Sequence, residues 1–137
     1  MKKLLLLLFA LISIATSAQL DREHWFAPMV DRVVNGSNYQ TIYMSTNETT
    51  AFKVDVYNNN TIIGSVTISK NNPGKFNVNR SYIITTSQSD LFRSVSKGIY
   101  LKGNKPFFAS LRFSIFNHAE ILTSKGTAGI GSEFRAV

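Results

Sequence analysis

The side chains that could perform acid, base or metal chemistry are few and widely spaced in this sequence. Its two histidines, His24 and His118, lie far apart, and the absence of cysteine removes any thiolate ligand. A metal site or a catalytic triad needs several partners in a defined geometry. We therefore interpret both histidines as packed or surface imidazoles, and we predict neither a metal site nor a cofactor.

Carboxylates are the next candidates, because a pair of them can hydrolyse a glycosidic bond. Asp55 lies on the polar face of a predicted strand, whereas Glu48 and Asp90 fall in predicted turns. We interpret the acidic side chains as solvated surface charge, and we predict that the chain is not an enzyme. A secreted glycoside hydrolase fragment is the alternative. The candidates for that chemistry are Asp31, Glu48, Asp55, Asp90, Glu120 and Glu133.

The glycine-rich stretch from Gly126 to Gly131 does not match a nucleotide site. No Gly-Lys-Ser/Thr follows it, as a phosphate-binding loop requires, and it lacks the glycine order of a dinucleotide site. We interpret it as a tight connection before a strand that begins near Glu133, with glycine supplying a positive φ.

Aromatic side chains are the residues best suited to binding. Tryptophan and tyrosine stack on sugars or pack against a protein partner, because each has an apolar ring and a polar group. At strand positions they more often form core contacts or cross-strand pairs. The predicted ligand-binding residues are Trp25, Tyr39, Tyr43, Tyr57 and Tyr100, and Tyr82 is a weaker candidate.

Short strands position these residues. The stretch Tyr39–Ser45 is rich in residues that favour pleated surfaces. Two further runs alternate between two faces, which indicates two strands with one face buried. They are Phe52, Val54 and Val56 against Lys53, Asp55 and Tyr57, and Ile62, Val66 and Ile68 against Ile63, Ser65 and Thr67. Asn58–Asn60 between them is typical of a hairpin turn.

The second half of the chain shows the same pattern. Phe76, Val78, Tyr82 and Ile84 share a parity after the turn Asn71–Gly74. A short strand at Ile99–Leu101, a turn at Gly103–Pro106 and a long strand from Phe107 to Phe116 follow. Ser87–Ser96 has the composition for one short helical turn, capped by Ser87 or Ser89. Many short strands predict an all-β fold, either an antiparallel β-sandwich or a partly open barrel.

The N-terminus has the three parts of a secretory signal peptide. Lys2 and Lys3 precede the apolar run Leu4–Ala15, and small residues follow at Thr16–Ala18. We predict cleavage by signal peptidase between Ala18 and Gln19, which leaves one β domain over 19–137. The apolar run is short for a transmembrane helix, which needs about 20 residues. No later run is long enough, so we expect no membrane span after cleavage.

Composition limits the remaining possibilities. Without cysteine the exported domain has neither disulfides nor a lipid anchor, so its core must stabilise it. The formal net charge is +7, but the basic residues are scattered, which argues against a nucleic-acid partner. The charge favours solubility, or a mild attraction to anionic surfaces or glycans.

Two stretches resemble a known family. One is Glu23–Pro28, and the other runs from Lys97–Leu101 through Asn104–Phe107 to Lys125–Phe134. Together they resemble the N-terminal domain of IgGFc-binding-like proteins, as found in large exported proteins of gliding Bacteroidetes. The resemblance implies an all-β, non-enzymatic surface module with a presumed role in adhesion, and it transfers no catalytic residue.

Members of that family usually continue well beyond the Gly-Ser-Glu-Phe segment, often to a sorting domain for type IX secretion. This chain stops at Val137, so we expect a domain that is incomplete at its C-terminus, either a truncated product or the first piece of a larger protein. We predict a secreted or cell-surface binding module whose partner is a glycan or a surface protein. A structural spacer is the further alternative.

Overall fold

Alternating apolar and polar residues fold into strands over most of the chain. The computed structural model describes residues 19–30, 39–90, 93–115 and 118–130, and it does not describe the side chains at positions 39, 88, 115 and 118. In this part of the chain the strands are β1 Asp21–Phe26, β2 Met29–Val30, β3 Tyr39–Ser45, β4 Phe52–Asn58, β5 Thr61–Ile68, β6 Gly74–Asn79, β7 Ile84–Thr85, β8 Ile99–Ile115 and β9 His118–Thr123. Short 3₁₀ turns span Arg80–Tyr82, Gln88–Asp90 and Gly126–Gly129.

Strand β8, with 17 residues, organises the sheet. Its first part pairs with β1 and β4, and its second part pairs with β3 and β9, in every case antiparallel. The sheet runs in the order β5-β4-β8-β3-β6, while β2 and β7 form a separate parallel pair. The result is a nearly closed, barrel-like sheet with an unsealed seam. This confirms the all-β prediction in its partly open barrel form.

The seam lies between β5 and β6, the two ends of that path. A Cβ at Gly74 of β6 would lie 2.5 Å from Val66 Cγ1 and 2.7 Å from Ile68 Cγ2 of β5. The bridge between Ser69 and Asn72 joins the two strands at the turn. Glycine therefore lets the β6 backbone approach the β5 side chains closely.

The core fills the inside of this sheet. Ile42 and Met44 of β3 and the side chains at Val54 and Val56 of β4 are fully buried, which confirms the predicted inner face of β4. Two polar residues, His24 and Gln40, are fully buried with them. The buried apolar residues are Phe26, Ile42, Met44, Phe52, Val54, Val56, Ile68, Val78, Ile83, Ile84, Ile99, Leu101, Phe107, Ala109 and Leu111.

The predicted Asn-rich hairpin is confirmed. Asn59 and Asn60 are the two loop residues between β4 and β5, with φ angles of 44° and 65°. A two-residue turn with positive φ at both positions matches the right-handed twist of the strands, and asparagine tolerates that conformation.

The predicted turn at Gly103–Pro106 is wrong, because β8 continues through it. Gly103 pairs with Val54, and a Cβ there would lie 3.0 Å from Phe52 and 3.1 Å from Phe107. The residue of β8 that pairs with β1 changes from Lys102, opposite Glu23, to Phe107, opposite Asp21. The strand therefore bulges between these positions and does not reverse direction. Proline is tolerated at such a bulge.

The predicted parity of β5 is also wrong at one position. Ile62 was expected on the buried face, but its side chain is 54% exposed. A bulge shifts the register, since Val56 pairs with Gly64 and Tyr57 pairs with Ile62. Ile63 is therefore the extra residue, and it packs against the core instead.

The alternating pattern predicted from Phe76 to Ile84 does not form one continuous strand. The 3₁₀ turn at Arg80–Tyr82 ends β6, so Tyr82 lies outside a strand and is 37% exposed. The predicted helical turn is present at Gln88–Asp90, where the Ser89 N–H donates to Ser87 Oγ at 3.2 Å. The sequence patterns did not predict β1, β2 or β9.

Some predictions fall outside the described residues. These are the signal peptide at 1–18, the strand near Glu133 and the expected strand at the C-terminal end. Within the described part of the chain, no helix has the length and apolar character needed to cross a membrane.

Candidate functional site

Three of the predicted binding residues lie side by side on the outer face of β1, β8 and β4. Trp25 pairs across the strands with Tyr100, and Tyr100 pairs with Tyr57. The Trp25 and Tyr100 rings stack with centroids 5.3 Å apart at 25°, and the Tyr100 and Tyr57 rings are 5.4 Å apart at 40°. We call these three residues the aromatic row. Cross-strand aromatic pairs of this kind stabilise a sheet, and they also present ring edges to solvent.

The remaining aromatic candidates do not join this row. Tyr43 lies on β3 between Lys75 of β6 and Ser110 of β8, and it is 42% exposed. Tyr39 begins β3, but its side chain lies outside the described part of the structure. Tyr82 lies on its 3₁₀ turn.

A charged row runs beside the aromatic row on the same face of the sheet, two residues along each of the same strands. It consists of Glu23, Lys102 and Asp55, in which Lys102 pairs with each acid across the strands. Lys102 Nζ lies 3.2 Å from Glu23 Oε1, and Asp55 Oδ1 lies 3.0 Å from Lys53 Nζ. The acids and lysines on this surface therefore neutralise each other.

The two rows are linked through Tyr100. Its phenol donates a hydrogen bond to the Glu23 carboxylate, and this bond, together with Lys102, lowers the pKa of Glu23. Burial raises the pKa of the Tyr100 phenol, and the Glu23 carboxylate raises it further. The Tyr100 ring therefore packs between two aromatic neighbours, and its phenol is bonded to the Glu23 carboxylate. Together these contacts fix the centre of the aromatic row.

An open cleft of about 510 Å³ borders the aromatic row on the side of the β4–β5 hairpin. We call it the hairpin cleft. Its lining includes Trp25, Tyr57, Asn59, Asn60, Lys97 and Tyr100. Asn58 Nδ2 supports its wall by donating to the Gly98 carbonyl at 2.9 Å. Lys97 Nζ donates to the Ile84 carbonyl at 2.6 Å.

A second cleft of about 370 Å³ also has Trp25 in its lining. We call it the glycine cleft, and its other residues are Ser124, Lys125, Gly126, Gly129 and Ile130. Trp25 therefore separates two clefts, while Tyr100 covers one face of its ring. Trp25 itself is 38% exposed.

Polar contacts hold the glycine cleft against β1. The Trp25 N–H donates to Ser124 Oγ at 3.4 Å, and the Asp21 carboxylate accepts from the Thr127 amide at 2.6 Å and from the Thr127 hydroxyl. Burial alone would raise the pKa of Asp21, but the hydrogen bonds from Thr127 outweigh it and lower the pKa. Gly126 has φ = 59°, and a Cβ there would lie 2.6 Å from Asp21 Oδ2, so glycine is required.

His24 is a buried structural residue, as the sequence analysis interpreted it. Its ring packs edge-on against Phe107 with centroids 4.6 Å apart, and its Nε2–H donates to the Phe107 carbonyl at 2.7 Å. Burial lowers the pKa of His24. The His118 side chain is not described, and no group of metal-binding side chains occurs among the described residues.

The candidate carboxylates are dispersed over different elements. Glu48 lies 3.3 Å from Lys105 Nζ, and Asp90 accepts from the Thr85 hydroxyl at 2.5 Å. Glu120 is exposed on β9, opposite Phe113 of β8. Asp31 and Glu133 lie outside the described residues. In the charged row the pKa of Glu23 is lowered, whereas a general acid for glycoside hydrolysis needs a raised one.

Sequence reasoning missed four contributors to the site: Lys97, Lys125, Asn59 and Asn60 as lining residues. It also missed β1, although Glu23 and Trp25 alternate with His24 and Phe26 in the pattern of a half-buried strand. That alternation was the available signal, and it would have placed Trp25 on an outer face.

Comparisons with known proteins add no relative. No protein-family model matches this chain, and neither the curated proteins nor the solved structures give a match. The two segments that carry the resemblance stated above meet in the fold, because Trp25 and Phe26 pair with Tyr100 and Ile99.

Proposed function

We propose that this protein is a non-enzymatic binding module of the cell exterior, and that it binds a polysaccharide at Trp25. One observation carries the proposal: Trp25, Tyr100 and Tyr57 form a continuous aromatic row on the outer face of the sheet, with an open cleft beside it. Sites on strands hold their side chains more firmly than sites on loops. A ring already fixed by its neighbours loses little entropy when a sugar stacks on it.

The surroundings of the aromatic row suit a hydroxyl-rich ligand. Asn59 and Asn60 are exposed at the turn, and an amide both donates and accepts hydrogen bonds. Small-molecule sites usually combine apolar and aromatic walls with a few such polar groups. The signal peptide predicted at 1–18 and the family resemblance both support a secreted or surface location and an adhesive role. No specific observation favours the glycosidase alternative.

Two variants with matched exposure test this proposal. Trp25 and Tyr43 are exposed aromatics at 38% and 42%, but only Trp25 belongs to the aromatic row. We expect a glycan array to show binding by the purified protein, weakened in Trp25→Ala and retained in Tyr43→Ala. Loss of one stacking aromatic costs about 1–3 kcal/mol by analogy with base stacking, a fall in affinity of roughly 5- to 150-fold.

Unfolding of each variant by denaturant must be measured beside the array, so that a folding defect is not taken for a binding defect. The proposal is wrong if no polysaccharide is bound, or if Trp25→Ala binds as the native protein does while remaining folded.

A further inference from the structure

From the distribution of charge around Trp25 we infer that the ligand is an acidic polysaccharide, with sugar carboxylates placed in both the hairpin cleft and the glycine cleft. This inference rests on the function proposed above. It identifies the chemical class of the ligand, and it extends the site to a second cleft.

The first step is the charge of the lining. Lys97 is the one charged side chain among the described residues that line the hairpin cleft. Lys125 is the one charged side chain among the described residues that line the glycine cleft. No described carboxylate lines either one. Among the described residues, each cleft therefore has one cationic side chain and no carboxylate in a lining that it shares with Trp25.

The second step is that these two lysines differ from those nearby. Lys53 lies 3.0 Å from Asp55, Lys102 lies 3.2 Å from Glu23 and Lys105 lies 3.3 Å from Glu48. Their charges are neutralised by protein carboxylates. Surface cations without such a partner can instead attract an anionic ligand, and clefts with low-dielectric walls focus that attraction.

Lys97 has further capacity for an anion even though its Nζ donates to the Ile84 carbonyl at 2.6 Å. An ammonium group carries three donors, and a carbonyl uses one without neutralising the charge. That hydrogen bond also restrains the Lys97 side chain, which reduces the entropy lost when a carboxylate binds. Lys125 is exposed and follows Ser124, whose hydroxyl is bonded to β1.

The third step is the shape of the site. Trp25 lines both clefts, so a ligand that occupies both must cross this ring. A polymer of pyranose rings satisfies this arrangement, because one sugar can stack at Trp25 while its neighbours extend to either side. A uronic acid polymer adds a carboxylate to each sugar and can meet both lysines.

The test uses one polymer in two charge states, namely polygalacturonate and its methyl ester. We expect the native protein to bind polygalacturonate at least tenfold more tightly than the ester, and we expect this preference to weaken as NaCl is raised from about 0.05 to 0.5 M. Lys97→Gln and Lys125→Gln should each weaken polygalacturonate binding about fivefold, the upper range for an exposed charge pair, and the double variant about 25-fold.

Three controls separate charge from structure. Lys97→Arg and Lys125→Arg should keep the preference, since they keep the charge. Lys75→Gln should keep it too, because Lys75 is an exposed lysine of β6 outside both clefts. Thermal unfolding of Lys97→Gln shows whether loss of the hydrogen bond to Ile84 has disturbed the fold. If it has, polygalacturonate binding by Lys97→Arg, which keeps the charge, tests the role of Lys97 instead.

The outcomes distinguish this inference from the function on which it rests. Equal binding of both polymers, abolished by Trp25→Ala, would overturn the acidic ligand and leave the polysaccharide site intact. Binding of neither polymer, with no other polysaccharide bound on the array, would overturn both. Salt-sensitive capture of an acidic peptide without any polysaccharide binding would likewise overturn both.

Discussion

The two ends of β8 belong to one strand but present different surfaces. At the aromatic end, where β8 pairs with β1 and β4, Tyr100 lies between Trp25 and Tyr57. At the polar end, where β8 pairs with β3 and β9, the corresponding outward position is Ser110, with Tyr43 as its neighbour. The same backbone geometry thus supports a stacked row at one end and an isolated ring at the other. An exposed aromatic becomes a candidate site only when its cross-strand neighbours are also aromatic.

The inner faces of the two ends differ in the polar residue that each one buries. Each end has one polar residue that is fully buried, His24 at the aromatic end and Gln40 at the polar end. Gln40 Oε1 accepts from the Ser114 N–H at 3.0 Å, whereas His24 donates to the Phe107 carbonyl. Each anchor makes a hydrogen bond, but His24 Nδ1 is buried without a hydrogen-bond partner among the described residues, and only the imidazole can gain a proton near neutral pH.

The largest expected effect comes from Phe107, which lies where the two ends meet. Phe107 is fully buried and contacts both His24 and Phe52. We expect Phe107→Ala to lower the free energy of unfolding by about 3–5 kcal/mol, because it leaves a cavity in the core. Phe108→Ala, at the half-buried neighbour on the opposite face, should cost less.

This experiment also asks whether the two ends unfold together. Trp25 is the only tryptophan, so its fluorescence reports on the aromatic end, while far-UV circular dichroism reports on the whole sheet. We expect the two transitions to coincide in the native protein and in Phe107→Ala. Separate midpoints would show that the ends are independent units, and the comparison would then describe two folding units instead of two surfaces.

An intermediate effect is expected from coupling within the aromatic row. A double-mutant cycle on Trp25→Ala and Tyr100→Ala should give a coupling free energy of about 0.5–1.5 kcal/mol, as for other stacked aromatic pairs. The matched cycle on Tyr43→Ala and Ser110→Ala at the polar end should give about 0.2 kcal/mol. Equal coupling at both ends, measured by urea unfolding, would remove the distinction on which the binding site is based.

How far the sequence predicted these features depends on how local their causes are. The strand at Phe52–Asn58 and the Asn59-Asn60 turn follow from alternation and from the tolerance of asparagine for positive φ, so both were predictable. The continuation of β8 through Gly103–Pro106 depends on pairing with Val54 and on packing around Phe52, which are distant in sequence. Local turn composition pointed to the opposite result there.

The site was predictable to the same degree. Residue type identified Trp25, Tyr57 and Tyr100 as candidates, but it gave Tyr39 and Tyr43 equal weight. Register decides between them, because it brings the first three together across strands that are 32 or more positions apart in the chain. The lysines of the two clefts carry no local signal, since the role proposed for them depends on the absence of described carboxylates from the cleft linings, which only the fold reveals.

The smallest expected effect is a dependence of stability on pH that originates at the aromatic end. Burial lowers the pKa of His24 below its usual value of 6.5, and the hydrogen bond to the Phe107 carbonyl and the nearby Asp21 carboxylate oppose this shift only in part. Between the two pKa values the unfolded chain binds more protons than the folded one, so the free energy of unfolding must fall as pH is lowered. The stabilisation is present above about pH 6.5 and is lost progressively below it.

The carboxylates around His24 contribute in a separate, more acidic range. The pKa values of Asp21 and Glu23 are lowered from 3.8 and 4.5, so their stabilising bonds are lost only below those values. These carboxylates keep their bonds between pH 8 and pH 5, so urea unfolding of the native protein and of His24→Gln over this range isolates the His24 imidazole, since both proteins contain His118. We expect His24→Gln, whose amide can still donate to the Phe107 carbonyl, to show a smaller slope than the native protein. Gln40→Ala should lower stability at every pH and leave the slope unchanged. If His24→Gln retained the full slope, the buried imidazole would not be its source, and the contrast between the two polar anchors would not hold.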